Sequence, residues 1–171
     1  MNAVIATLGY ILSEDGSHVL LIHRDKNLQD NQYGKFNGLG GKLEDDEDVV
    51  QGMRREIREE AGIECQEMHL VGTISWPGAG PDGEHWFGFI FIIPRWTGTP
   101  RTSNQEGSLI WVDIADVLNQ TVPLWDGDRH FLPLVFAGEG QFHGVMPYHD
   151  GRSQGWSYSM LEWRHNCVST K

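Results

Sequence analysis

Gly40–Ile63, GGKLEDDEDVVQGMRREIREEAGI, is the stretch on which the reading of this chain turns. Its acids are not spread as they are on a solvated surface. Read as a helix from about Asp46 to Glu60, it sets Val49, Met53 and Ile57 at i, i+4 and i+8, one apolar stripe for a core. Glu56, Glu59 and Glu60 fall at i, i+3 and i+4, so three carboxylates stand together beside that stripe. Like charges at this spacing repel, and a sequence shaped by stability alone avoids them. A hard divalent cation changes the balance, because Mg²⁺ takes oxygen ligands and keeps waters or phosphates as its others. Gly62 stands where a helix ends on a left-handed residue, and Gly40-Gly41 allows a tight loop whose backbone can approach a metal closely.

The rest of the chain narrows the class. Its 171 residues fit one domain spanning 1–171, long enough for a substantial core. Thirteen basic against 24 acidic residues give a net charge of −11, which leaves no basic stripe for a nucleic-acid polymer. A small polyphosphate remains compatible once metal ions cancel the local charge. No apolar run is long enough to span a membrane, and Met1-Asn2-Ala3 does not open a signal peptide. Cys65 and Cys167 have neither metal-ligand nor disulfide spacing, so they read as reduced thiols. The expected compartment is the cytoplasm.

Apolar, β-prone residues from about Ala3 to Leu12 and Val19 to Ile22 flank a turn at Ser13–Ser17 and predict a hairpin. Asp25 to Tyr33 reads as a loop. Further strands are expected over Met68–Trp76, His85–Trp96 and Leu109–Val112, with a Gly/Pro loop at 77–83. Helices are expected at Ile114–Leu118 and Asp128–Ala137, then a terminal hairpin of Gln141–Tyr148 and Trp156–Trp163. Strands interleaved with helices predict an α/β sandwich around a mixed sheet.

Gly41, Glu47 and Arg55-Glu56-Ile57-x-Glu59-Glu60-x-Gly62-Ile63 together resemble a complete Nudix box over residues 41–63. The resemblance implies the Nudix fold, an α/β/α sandwich with a mixed β-sheet. It implies a phosphoanhydride hydrolase that uses Mg²⁺, or Mn²⁺ in its place, on a small nucleotide. Its metal ligands would be Glu59, Glu60 and the backbone carbonyl of Gly40, with Glu56 a further ligand or the general base. Arg55 would orient a box carboxylate bidentately. Glu47 would serve the loop, and Lys42 would meet a phosphate. Glu106, before Leu109, matches a place where many Nudix enzymes carry one more metal-binding glutamate, although loop glutamates are ordinarily just solvated. Arg24 ends a strand and reads as a phosphate contact or as an ordinary surface arginine.

Lys35-Phe36-Asn37-Gly38-Leu39-Gly40-Gly41-Lys42, Leu124-Trp125-Asp126-Gly127-Asp128 and Gln141-Phe142-His143-Gly144 resemble segments of the oxidised-purine nucleoside triphosphatases within that family. The implied base pocket uses Trp125 for stacking and Asn37 and Asp128 for the base edge, with Thr7 on the first strand. The family has two adjacent aspartates after the tryptophan. Here Gly127 separates them, and only Asp128 falls in register. The plainer roles are a core anchor for Trp125 and a helix cap for Asp126 or Asp128. Trp86, Phe87, Phe89 and Phe91 form an aromatic stripe that suits either pocket or core.

The expected function is Mg²⁺-dependent hydrolysis of a nucleoside triphosphate, 8-oxo-dGTP foremost, to the monophosphate and pyrophosphate by a monomer or homodimer. Pro77 keeps open an ADP-ribose hydrolase. A nucleotide sensor on the same scaffold is disfavoured by the intact glutamates.

Overall fold

The chain's first apolar run forms β1 (Ala3–Leu12), which the sheet is built around. The computed structural model describes residues 3–30 and 32–161, so Cys167 and Trp163 lie outside the described residues. Consecutive residues of β1 are buried on opposite faces: Tyr10 is 1% and Ile11 0% exposed. A strand covered on both sides needs apolar residues in unbroken succession, which is what this run supplies.

β2 (His18–His23) returns antiparallel from the predicted hairpin, pairing Leu20 with Ile11. β3 (Phe36–Asn37) and β6 (Ser108–Asp113) both pair with β2. On the other edge of β1, β5 (His85–Thr97) runs parallel, with Thr7 opposite Phe89, and β4 (Glu64–Trp76) is antiparallel to β5. β7 (Gln141–Val145) is parallel to β4, and β10 (Ser157–Leu161) closes the sheet antiparallel to β7. The order is β10-β7-β4-β5-β1-β2-β3, mixed as expected.

The connection between strands is taken by α1 (Val49–Ala61), α2 (Ile114–Leu118) and α3 (Asp128–Ala137). The sheet separates two cores. On one face Met53, Ile57 and Ala61 of α1 pack with Ile11, Leu20, Ile22 and Phe91. On the other Phe131, Leu132 and Val135 of α3 pack with Tyr10, Leu21, Ile74, Ile90 and Phe142. That is the α/β/α sandwich.

Three expectations shift. α1 starts at Val49 rather than Asp46, because Asp48 is its N-cap. The Asp48 carboxylate accepts from the Val50 and Gln51 N–H groups at 2.8 and 2.9 Å, and the Gln51 side chain accepts from Asp48 N–H. This reciprocal capping box ends the helix more firmly than the acidic run before it can extend it. β4 begins at Glu64 rather than Met68, its polar first turnings broken by register shifts near Cys65, Glu67 and Leu70. Among the described residues the terminal hairpin pairs over Gln141–Val145 and Ser157–Leu161. Between them a smaller hairpin, β8 (Tyr148–His149) and β9 (Arg152–Ser153), forms its own two-stranded sheet.

Candidate active site

β1 changes partner halfway along one edge, and the box loop takes the place of a strand there. Near its C-terminal end β1 pairs with β2. Further back, Gly9 exchanges backbone hydrogen bonds with Leu39, Thr7 N–H donates to the Gly41 carbonyl at 2.8 Å and Leu43 N–H to the Ile5 carbonyl at 3.0 Å. Gly40 adopts φ +146°, and a Cβ there would sit 2.1 Å from the Thr7 carbonyl oxygen. Only glycine permits that approach.

The bonded loop faces α1, whose carboxylates gather around one guanidinium. Arg55 grips Glu47 with two nitrogens (2.6 and 3.0 Å), donates to Glu56 at 2.9 Å and to Glu59 at 3.3 Å, and reaches the Lys42 carbonyl at 3.1 Å. The bidentate partner is therefore Glu47, which locks the loop to the helix. Hydrogen bonds from Arg55 and from Glu44 N–H hold the Glu47 carboxyl down at about 2. Gly41 lies so near Glu56 that a Cβ would come within 2.4 Å of its Oε1.

Glu60 has the opposite environment. Burial, then the charge of Glu106, raises its carboxyl to about 8; Glu56 and Glu59 add to the rise, and one hydrogen bond from Gly40 N–H (2.8 Å) opposes it. Glu56 is also raised, first by burial. Glu59 is open to solvent, its side chain 59% exposed. Glu106 comes from the loop before β6 and accepts from Arg24 at 2.9 Å. Arg24 is thus already occupied: its other nitrogens hold Asp30 at 2.7 Å. Glu59, Glu60 and Glu106 line a cleft of about 580 Å³ together with Lys26, Arg101 and Asn104.

Among the described residues no ready-made cage of three metal-ligating side chains is present. Arg55 stands between Glu56 and Glu59, while Glu60 turns to Gly40. The donor chemistry nevertheless fits a hard divalent ion. The groups are all oxygen donors, and half-buried Glu60 stands close enough to Glu106, Glu56 and Glu59 for their charges to raise it further, an environment a cation would relieve.

The opposite face carries Trp125 and Asp128. Phe36 N–H donates to the Pro123 carbonyl at 2.8 Å and Phe36 bridges Leu124, which ties β3 to the loop that carries Trp125. Asn37 pairs with Ile22 of the α1-side core, so alternation turns its side chain to that face and away from Asp128, against the expected base pocket. Lys35 Nζ lies 5.8 Å from the Trp125 ring centre, and the indole N–H is buried without a partner. Asp128, in the first turn of α3, is raised to about 7 by burial, against the pull of Lys35. Burial and the Asp128 charge also raise Tyr148, to about 12. Asp126 neither caps α3 nor faces this pocket. It accepts from Ser153 Oγ at 2.7 Å and from Arg129 at 3.0 Å, pinning the small hairpin to the helix start.

Two further expected pocket or phosphate residues sit elsewhere. On β1, Leu8 and Tyr10 pack toward α3, whereas Ile11, and Met53 against Gly9, lie on the α1 face. Strand alternation therefore turns Thr7 toward α1 and away from Asp128, and its hydroxyl is buried without a partner. Lys42 Nζ lies over Trp86, 5.0 Å from the ring centre. The same alternation splits the aromatic stripe, with Phe91 buried in the α1-side core.

Sequence reading missed Lys26, Arg101 and Tyr10. Arg101 N–H donates to the Ala61 carbonyl at 2.8 Å and its guanidinium to the Glu59 carbonyl, so it closes the end of α1 at the cleft. Nothing local in either loop marks these residues; only chain folding brings them to α1. Tyr10 had one faint signal, a hydroxyl in a strand that is apolar apart from Thr7.

A family model described as "NUDIX domain" matches residues 3–135. An uncharacterised Nudix hydrolase of Bacillus subtilis, YvcI, is 34% identical over 125 residues, 71% of this chain and 77% of that protein. The oxidized purine nucleoside triphosphate hydrolase of Mus musculus is 31% identical over 129 residues, 75% of this chain and 79% of that protein. In fold, the chain is similar to the MutT protein of Bacillus halodurans, with TM-score 0.78 and 23% identity over 91% of this chain and 97% of that one.

Proposed function

Because the chain belongs to the Nudix family of hydrolases, which act on phosphoric anhydride bonds of nucleotides, we propose that it is a Mg²⁺-dependent nucleoside triphosphate pyrophosphohydrolase. Its foremost substrate is 8-oxo-dGTP or a related oxidised purine nucleotide, released as monophosphate and pyrophosphate. The reading is supported by the cluster of α1 carboxylates at the cleft that Glu59, Glu60 and Glu106 line, together with buried polar groups of Trp125 and Asp128 across the sheet. Similarity to the mouse oxidized purine nucleoside triphosphate hydrolase supports the choice of base.

Glu59, Glu60 and the Gly40 carbonyl would hold the cation, with Glu106 across the cleft from them. Bound there, Mg²⁺ would neutralise phosphate charge and acidify a water. The chain's own groups do the rest. Attack of water at one phosphorus of the anhydride breaks its bond to the bridging oxygen, which stays with the departing phosphate product, and the proton passes to a carboxylate oxygen. Glu56 and Glu59 are the two candidates for that base. Glu56 is held by Arg55, and Arg55 is fixed in turn by Glu47, so loop and helix move as one piece. On the base side, Trp125 offers a flat face and Asp128 a carboxyl that either donates or accepts near neutrality. The cytoplasm is the proposed compartment, and 1–171 the proposed extent of one domain. No helix among the described residues is long and apolar enough to cross a membrane.

The test is turnover with and without Mg²⁺ on 8-oxo-dGTP, dGTP, CTP, ADP-ribose and a dinucleoside polyphosphate, with Glu59→Gln as the inactive control. Mg²⁺-dependent release of pyrophosphate from 8-oxo-dGTP in preference to dGTP is expected. Turnover confined to ADP-ribose would discard the base pocket and keep the carboxylate chemistry. Binding with no turnover of any compound would turn the reading to a sensor.

A further inference from the structure

Tyr10 lies in the middle of β1, 1% exposed, and its hydroxyl has no hydrogen-bond partner. Such groups are uncommon, because leaving a buried hydroxyl unpaired forfeits its solvation. Phenylalanine would fill the same space without that loss. The ring is wedged tightly. It meets Phe136 of α3 edge-on at 5.8 Å, and a Cβ on Gly38 would lie 3.0 Å from its Cε1. Gly38 directly follows β3, so the phenol lies under the segment that Phe36 ties to the Trp125 loop.

Other polar groups converge on the same side of the sheet. The indole N–H of Trp125 is buried and unpaired. After burial, the nearby charge of Asp128 raises both Tyr10 and Tyr148. Gly127, just before it, is so close to Met146 and the Tyr148 hydroxyl that a Cβ would lie within 2.5 Å of each. Two unpaired donors and a buried carboxyl on one side of the sheet form an incomplete hydrogen-bonding set. A ligand edge that presents an acceptor beside a donor would complete it.

We propose that Tyr10 is a base-specificity residue: its phenolic O–H donates to the exocyclic oxygen of a 6-oxopurine while Asp128 accepts from the adjacent ring N–H. A 6-aminopurine offers a donor and a bare ring nitrogen at those places, the reverse arrangement, and leaves the phenol proton unpaired. A site built to hydrogen-bond a substrate group rejects the analogue that lacks it more strongly than an apolar pocket can. This rests on the proposed base pocket and adds to it the residue that reads the six position.

Tyr10→Phe removes one oxygen and keeps the ring, so the fold is preserved. Its kcat/KM is measured on dGTP, 8-oxo-dGTP and dATP beside the parent protein and Asp128→Asn, with a thermal melt of each. The expected result is a loss of about tenfold on the two 6-oxopurines, carried by KM. Turnover of dATP rises, because the unpaired phenol that penalised it is gone, and the melting temperature is equal or higher. Equal loss on all three nucleotides, or no loss on any, overturns the role of Tyr10. If Asp128→Asn shifts the base preference while Tyr10→Phe does not, the pocket stands and only Tyr10 falls. If neither variant shifts it, the pocket reading falls as well.

Discussion

Asp128→Asn should make the protein more stable at pH 8 than its parent, and much less distinguishable from it at pH 5. The carboxyl is raised from 3.8 to about 7 in the folded chain, burial being the chief cause and Lys35 opposing it. An acid raised on folding binds its proton more tightly in the native state. Its stabilising contribution is therefore complete below pH 3.8 and is lost as pH climbs to about 7. At about 1.36 kcal/mol per pH unit, the whole loss is at most about 4 kcal/mol. Between pH 5 and pH 8 it amounts to roughly 2.5 kcal/mol, an upper value because part of the Asp128 surface meets solvent. Asparagine does not titrate, so it escapes that loss. The assay is urea unfolding of both proteins at pH 5, 6.5 and 8, read as the difference between them. Tyr10, Tyr148, Lys35, Asp126 and His130 lie near Asp128 or its loop and are present in both proteins, so the difference reads Asp128. A difference that stays constant across the three pH values refutes the burial argument.

Two further outcomes bear on the carboxylate side. Gly40→Ala must move its backbone from φ +146° and relieve a 2.1 Å approach to the Thr7 carbonyl, so it should cost about 3 kcal/mol in urea unfolding and abolish turnover; a variant with unchanged midpoint sinks this account of the loop. Arg55→Lys keeps the charge but cannot span both Glu47 oxygens while reaching Glu56, so kcat should fall by about tenfold or more with KM little altered; full activity in the lysine variant would show that charge alone suffices.

Much of this molecule can be read from its sequence, and the exceptions have physical reasons. Helix α1 is legible because its stripe, its carboxylates and Gly62 all act within a few residues of one another. Helices α2 and α3 fall on their predicted bounds for the same reason. Asp48 shows the limit of periodicity: the acidic residues before it fit a helix, yet a cap decides where the helix starts. Thr7 shows another. Its place on β1 was legible, but its face follows from which neighbours each side of the strand finds, and those come from distant segments. Arg24 looked free because Asp30 and Glu106, its partners, lie six and 82 residues away. The hairpin of β8 and β9 is only two residues per strand, too short for any alternation to register.

The exchange of partners along β1 has a geometric consequence for any nucleotide handled here. Carboxylates hang from one side of the sheet and the Trp125–Asp128 pocket from the other, with the loop of Gly40 and Gly41 forming the rim between them. A ligand that reaches both must fold over that rim, and the span from base to scissile phosphate is then gauged by the thickness of a single backbone layer. Sheets are stiff across that dimension. On the proposed base pocket and cation site, that rim would sort nucleotides by their reach from base to phosphate as well as by their base.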